Sequence, residues 1–284
     1  MDRNARTVAE LRPKPALALD PSMSVAEAAR KMVKANADSA LIVSSGAELK
    51  GILTDTDVTR KLLAPGLNPE TTLVSEVMTP SPQCVRASEN AVDALCTMVE
   101  RRFRHLPVLD AHGAVIGVLD IAKCLYDAIS RLERHLSSAS TALSSAILTA
   151  MPGGHSGSSA QQMVDGLVQK LFAPSLADLL ISTNTNTAAP PSIAPSESVQ
   201  AAAILMSQRK SAILISSATE PCLGIVTPKD LLFRLVAKGL DGTTTNVMDV
   251  CTKSPDTMPS TATVLQALHQ LQYGGYRNVP VRIL

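Results

Sequence analysis

The segment Gly51-Ile52-Leu53-Thr54-Asp55-Thr56-Asp57 returns as Gly224-Ile225-Val226-Thr227-Pro228-Lys229-Asp230, 173 positions later. A long-period repeat restricts the fold more than any compositional value, because each copy must be one supersecondary unit that buries its apolar face against another copy. Both segments read as a short apolar strand running into a helix through Gly-x-x-Thr-x-x-Asp. That junction puts a hydroxyl, a carboxylate and unpaired helix N–H groups at one spot, a combination that suits a ribose-phosphate.

The repeat has a finer grain. Gly117-Val118-Leu119-Asp120-Ile121-Ala122-Lys123 has the same strand-to-helix shape 66 positions after Gly51. A fourth copy is visible in its first half, where Tyr276-Arg277-Asn278-Val279-Pro280-Val281 matches Phe103-Arg104-His105-Leu106-Pro107-Val108. Each copy opens with a helix start. Ser24 with Glu27 reads as a capping box, Asn90 with Asp93 and Ser198 open the second and third helices, and Thr263 with Gln266 opens the fourth. Apolar residues follow at helical spacing: Val25, Ala29, Met32 and Val33; Leu95 and Met98; Ala202, Leu205 and Met206; Ala267, Leu268 and Leu271.

Two strands follow each helix, at Ala40–Val43 and Leu49–Leu53, Leu106–Leu109 and Ala114–Leu119, and Ala212–Ser216 and Cys222–Val226. Extended lead-ins precede the first two units at Ala16–Leu19 and Gln83–Arg86. The unit is therefore helix, strand, strand, helix, and the fold class is α/β. Its boundaries fall at residues 9–66, 74–132, 188–240 and 244–284, the last incomplete. Only Leu67 to Val77 separates the first two copies, so they should pack as one module. Residues 137–187 read as a Ser/Ala/Thr-rich linker. Within it Met163, Val164, Leu167, Val168, Leu171 and Phe172 recur at helical spacing, which suits either a helix docked on a module or a partner-binding helix.

Composition excludes several functions. Hydrophobic residues are 45% and charged residues 18%, enough for a buried core. Net charge is +1 and aromatics are 2%, which leaves neither a basic stripe nor stacking platforms for nucleic acid. The five cysteines form no C-x-x-C pair, which argues against zinc or a disulfide framework and for a reducing compartment. No stretch approaches the roughly 18 apolar residues of a membrane helix, and the first residues lack a signal core. A cytoplasmic protein without membrane contact is expected. His105, His112, His135, His155 and His269 are scattered, no G-x-S-x-G elbow is present, and Gly153-Gly154-His155-Ser156-Gly157 lacks the Lys-Ser/Thr end of a phosphate loop. No catalytic constellation is expected.

The Gly-h-h-Thr-x-x-Asp ending, the Val77-Met78-Thr79-Pro80 lead-in, its echo in Val247-Met248-Asp249, and the Arg104-His105-Leu106-Pro107-Val108 strand resemble the cystathionine-β-synthase-type (CBS) domain. Two tandem CBS domains form a Bateman module, so the resemblance implies four units in two modules. Phe103-Arg104-His105-Leu106-Pro107-Val108 together with the run from Leu119 to Ile129 is similar to plant and fungal proteins with four CBS domains, which often carry a C-terminal ubiquitin-like interaction domain that nothing here matches. The family pattern would continue past Leu284 with another strand, the motif and a closing helix. A fragment or truncated gene model is the first explanation and a shortened natural paralogue the alternative.

The resemblance also implies ligand roles. The motif Asp binds the ribose hydroxyls of an adenine nucleotide, the Thr contacts a phosphate, and basic residues of the paired copy reach the phosphates. On this chain those are Thr54 and Asp57, Thr227 and Asp230, with Arg104, His105 and Arg277 as phosphate contacts. Thr54 and Asp57 have a second reading as a helix cap, Arg104 and Arg277 as surface residues, and His105 as a satisfied structural histidine. The second copy has Asp120 and Lys123 at the Thr and Asp positions. A carboxylate there repels phosphate and a lysine cannot accept from ribose, so at most one competent site per module is expected. The leading function is a non-catalytic sensor of AMP, ADP, ATP or S-adenosylmethionine that requires no cofactor, pairs into a homodimer and modulates an unidentified protein partner. The alternative is a ligand-free dimerisation scaffold. Asp57→Ala should abolish binding with little loss of fold.

Overall fold

In the first copy, the extended pair β1 (Ala18–Leu19) leads into α1 (Val25–Lys34), followed by β2 (Ser39–Val43) and β3 (Leu49–Thr54). The computed structural model describes residues 6–44, 48–131, 174–182 and 190–282, together with Arg134 and Ser138. β2 and β3 are antiparallel with Ser39 opposite Thr54, and β1 adds parallel to β2. α1 begins because Ser24 Oγ accepts the Glu27 amide at 3.2 Å. The expected reciprocal half of that capping box is replaced by an i,i+4 pair, Glu27 with Lys31 at 3.0 Å.

β3 runs into α2 (Asp55–Asp57), which continues as a π-helical turn, Val58–Leu63. The chain then crosses through α3 (Val74–Val77) into β4 (Thr79–Pro80). β4 joins the first copy's sheet beside β3, giving the order β1-β2-β3-β4. The lead-in to one copy thus becomes the edge strand of the copy before it. This close pairing requires glycine: a Cβ on Gly51 would lie 2.5 Å from Met78 Sδ and 2.9 Å from the Thr79 carbonyl oxygen.

The second copy repeats the plan with β5 (Val85–Arg86), α4 (Ala91–Glu100), β6 (His105–Leu109) and β7 (Val115–Asp120), followed by α5 at residues 121–131. Its register is the first copy's register shifted by 66, with His105 opposite Asp120 and the irregularity again one step before the strand end. The helix α6 (Leu176–Ser182) follows in the chain. The third copy has β8 (Ser192–Ile193), α7 (Val199–Arg209), β9 (Ile213–Ile215), β10 (Gly224–Val226) and α8 (Pro228–Arg234), and takes β11 (Thr252–Lys253) as its edge strand after the short helix α9 (Val247–Val250). The fourth has β12 (Met258–Pro259), α10 (Val264–Gly274) and β13 (Val281–Arg282).

Two compact units result. The first takes in the chain to Ile121 together with Pro190–Pro255, and so holds copies one and three and copy two as far as the end of β7. Copies one and two pack sheet against sheet through Leu41, Ile52 and Val118, with Ala16, Val43, Leu49 and Val115 around them. Backbone bonds in both directions between Lys14 and Val118 tie the first lead-in to the second copy's sheet. The close pairing of copies one and two expected from the short connection is therefore present.

The largest core lies elsewhere in this unit. Val25, Ala29, Met32, Val58, Leu62 and Leu63 of the first copy share one buried cluster with Val199, Ala203, Met206, Leu231, Leu232 and Val236 of the third. A unit of this size cannot cover both faces of its sheet and helices alone. The first copy therefore uses its sheet face against copy two and its helix face against copy three.

The second unit comprises Ala122–Ala189 and Asp256–Leu284. Leu176, Met258, Ala262 and Ala267 form its core, with Val264, Val279 and Val281 packed on it. α10 starts at the full capping box expected from Thr263 and Gln266. Backbone bonds Leu176 N to Ala262 O and Val264 N to Pro174 O dock α6 against the start of α10. The periodic segment Met163–Phe172 lies outside the described residues.

Candidate functional site

At the end of β3 the backbone of Thr54 is still extended, and the chain then turns into α2. Thr54 Oγ1 accepts the Asp57 amide at 3.2 Å, and Asp57 Oδ2 accepts both the Thr54 amide (3.0 Å) and the Thr54 hydroxyl (2.6 Å). Asp57 Oδ1 takes the Thr79 hydroxyl and the Lys61 ammonium, each at 2.8 Å. Lys61 Nζ also reaches the Met78 carbonyl at 3.0 Å and Thr79 Oγ1 at 3.1 Å. Both carboxylate oxygens are thus engaged, and the cap role of the Thr-x-x-Asp motif is realised.

The third copy rebuilds this arrangement. Asp230 Oδ2 accepts Thr227 N at 2.9 Å and Thr227 Oγ1 at 2.6 Å, and Asp230 Oδ1 lies 3.2 Å from Arg234 Nη1. Arg234 Nη1 donates to the carbonyls of Val250 and Cys251 and to Thr252 Oγ1. Lys61 and Arg234 are 173 positions apart, as are Thr79 and Thr252. The motif alone points to none of these as partners of the Asp, although the repeat offset of 173 pairs them.

The second polar cluster lies where copies one and two meet. Arg104 and Asp38 occupy equivalent positions 66 apart, just before the first strand of their hairpins, and so do Asp120 and Thr54 at the ends of the second strands. The pseudo-symmetry brings them together. Arg104 Nη2 is 3.6 Å from both Asp38 Oδ2 and Asp120 Oδ2, and Lys14 Nζ is 3.4 Å from Asp120 Oδ2. His105 Nε2 is 3.1 Å from Asp38 Oδ1, but the geometry makes no hydrogen bond. Arg104 Nε and His105 Nε2 are both buried without a hydrogen-bond partner. Such groups cost free energy unless something supplies the missing bond.

The titration behaviour follows from burial. The His105 side chain is 8% exposed. Desolvation first, and the Arg104 guanidinium second, lower its pKa from 6.5 to about 4, while Asp120 and Asp55 oppose the shift. The imidazole is therefore neutral near pH 7. Asp55, at the start of α2, is pushed up by burial, with His105 and Arg104 pulling it back. Arg104 and His105 are therefore close enough to Asp55, inside the first copy's motif, to act on its charge.

The sign of the resulting pH effect is definite for His105. Its folded pKa lies below its unfolded value, so the unfolded chain binds the proton first and stability falls as pH drops from 6.5 towards about 4. Asp55 acts oppositely, since a raised carboxyl favours the fold at low pH. His105→Asn, which places the residue that copy four has at Asn278, is expected to remove up to about 3 kcal/mol of acid-side destabilisation. Urea melts of both proteins at pH 7 and pH 4.5 measure it.

Arg277 is half-buried and belongs to the second unit, whereas Thr227 and Asp230 belong to the first. Lys123 lies in α5, also in the second unit. Among the described residues, no three His, Cys, Asp or Glu side chains are grouped to hold a metal, and no helix is long and apolar enough to cross a membrane.

Comparison with known proteins gives this geometry its family. The CBS domain model matches residues 8–64, 74–130 and 185–237, the first three copies. The Arabidopsis thaliana CBS domain-containing proteins CBSCBSPB2 and CBSCBSPB3 are 38% and 39% identical to the chain over 97% of its length. The meiotically up-regulated gene 70 protein of Schizosaccharomyces pombe is 28% identical over 93%. The chain spans 50%, 49% and 40% of those relatives, about half the length of the plant proteins. Among solved structures, protein MJ1225 from Methanocaldococcus jannaschii matches with a TM-score of 0.62 over 97% of this chain and 92% of that one, at 12% identity, a likeness that bears on the fold. A strand-to-helix motif whose Thr–Asp cap is built twice from the same bonds, a third copy in the same register, and the match over three repeats lead to one conclusion: the chain belongs to the CBS domain family and carries tandem CBS repeats.

Proposed function

We propose that the chain is a non-catalytic regulatory protein that binds an adenosine-containing ligand, AMP, ADP, ATP or S-adenosylmethionine, where copies one and two meet. The observation that carries this reading is the pair of buried nitrogens, Arg104 Nε and His105 Nε2, that make no hydrogen bond beside the first copy's motif. A ligand phosphate or carboxylate supplies acceptors to Arg104, and Asp57 accepts the ribose hydroxyls once its Oδ1 exchanges Thr79 or Lys61 for them. Thr227 and Asp230 form the second candidate ribose site. The ligand controls an unidentified partner only to the extent that it favours one arrangement of the copies over another.

The alternative is a scaffold in which Thr54 and Asp57 serve as caps alone. The closed bonding of both Asp57 oxygens favours it. In either reading, homodimerisation uses surfaces other than the helix face of copy one, which copy three already covers. Calorimetry and thermal shift with each of the four ligands separate the two readings. The whole chain is required, because a fragment ending near residue 135 would expose the face that copy three buries. Binding of at least one ligand, with phosphate-bearing ligands weakened in Arg104→Gln, supports the sensor; no heat and no shift with any of them supports the scaffold.

A further inference from the structure

Asp120 does more than abolish the second copy's half-site. It stands where the first copy has Thr54, is buried, and presents Oδ2 to both Lys14 Nζ and Arg104 Nη2. Arg104 acts electrostatically on Asp55 of the first copy's motif and faces a second carboxylate, Asp38, at 3.6 Å. Its guanidinium is therefore compensated from within the chain before any ligand arrives. The 3.6 Å separations are longer than the roughly 2.8 Å of a strong charge-assisted hydrogen bond, so a phosphate in contact with Arg104 can replace them. The neighbouring His105 imidazole is neutral and adds no positive charge to attract one.

We infer that Asp120 is a positioning residue that sets the charge selectivity of the proposed copy one–copy two site by competing with ligand phosphates for Arg104. The inference rests on the reading that this site binds an adenosine-containing ligand. Each added phosphate brings negative charge towards a buried carboxylate that a Thr in this position would not present. The site consequently favours ligands with few phosphates, AMP over ATP, and the selectivity resides in one side chain on the opposite copy from the ribose-binding Asp57.

The test is a binding series with adenosine, AMP and ATP on the full chain, in wild type, Asp120→Asn and Asp120→Thr. Asn keeps the shape and removes the charge; Thr installs the residue of copy one. The ratio of ATP to adenosine affinity is expected to rise at least about tenfold in both variants, and Arg104→Gln in the Asp120→Asn background is expected to cancel the rise. Simple damage to the fold would weaken all three ligands together and leave the ratio unchanged. Binding in wild type with an unchanged ratio in both variants overturns the inference and leaves the proposed function standing. No binding of any ligand to any of the proteins overturns the proposed function, and the inference with it.

Discussion

Leu62→Ala is expected to destabilise the chain by about 3 kcal/mol and to loosen copies one and three together. Leu62 is fully buried in the π-helical turn that follows the first motif, within the cluster that copy three also lines. Removing its side chain leaves a cavity walled by both copies, including Leu231 and Leu232 from the far side of the core. Native-state hydrogen exchange provides the decisive readout. The amides of Leu214 and Ile225, in β9 and β10 of copy three, should lose protection in parallel with those of Leu41 and Ile52 in copy one. If the copy one amides alone become labile, the two copies do not fold as one body.

The second large effect is at Asp57. The sequence reading expected Asp57→Ala to remove ligand binding and leave the fold almost untouched. The structure predicts a substantial cost as well. Alanine deprives the Thr54 amide of its acceptor and leaves the Lys61 ammonium and the Thr79 hydroxyl without their carboxylate. Loss of a cap costs about 1 kcal/mol and stranded part-buried donors about 1–2 more, the latter reduced because Lys61 is 40% exposed. A total of about 2–3 kcal/mol is expected in urea unfolding. Asp57→Asn separates the roles. It retains an oxygen for the Thr54 amide and should recover most of the stability, while an amide in place of the carboxylate should weaken the proposed ribose contact. An Asn variant that binds AMP as tightly as wild type would make Asp57 a cap and nothing more.

The repeat was legible because its signals are local. A Thr or Ser three residues before an Asp or Gln, a Gly where a strand must pass close to its neighbour, and two apolar runs joined by a polar turn each act within one copy. The strand bounds and caps accordingly fell within one or two residues of expectation, apart from Glu27, which chose Lys31 over its own N-terminus. Lys61, Thr79, Arg234 and Thr252 were less legible. A lysine four residues past an Asp reads as an exposed pair on a helix, and only the strand pairing of β4 with β3 brings Thr79 to the same carboxylate.

The sequence by itself determined the unit, its number, and which copies keep the Thr-x-x-Asp motif, since these depend on residues close together in the chain. Tertiary structure alone decided what each copy packs against. The helices of all the copies present similar Ala, Val, Leu and Met faces, so composition cannot say that copy one buries its helices on copy three while its sheet meets copy two. It also decided the environment of Arg104. In the chain it is a basic residue with no evident partner; in the fold, pseudo-symmetry sets it against Asp38 and Asp120, far apart in sequence, with its Nε buried.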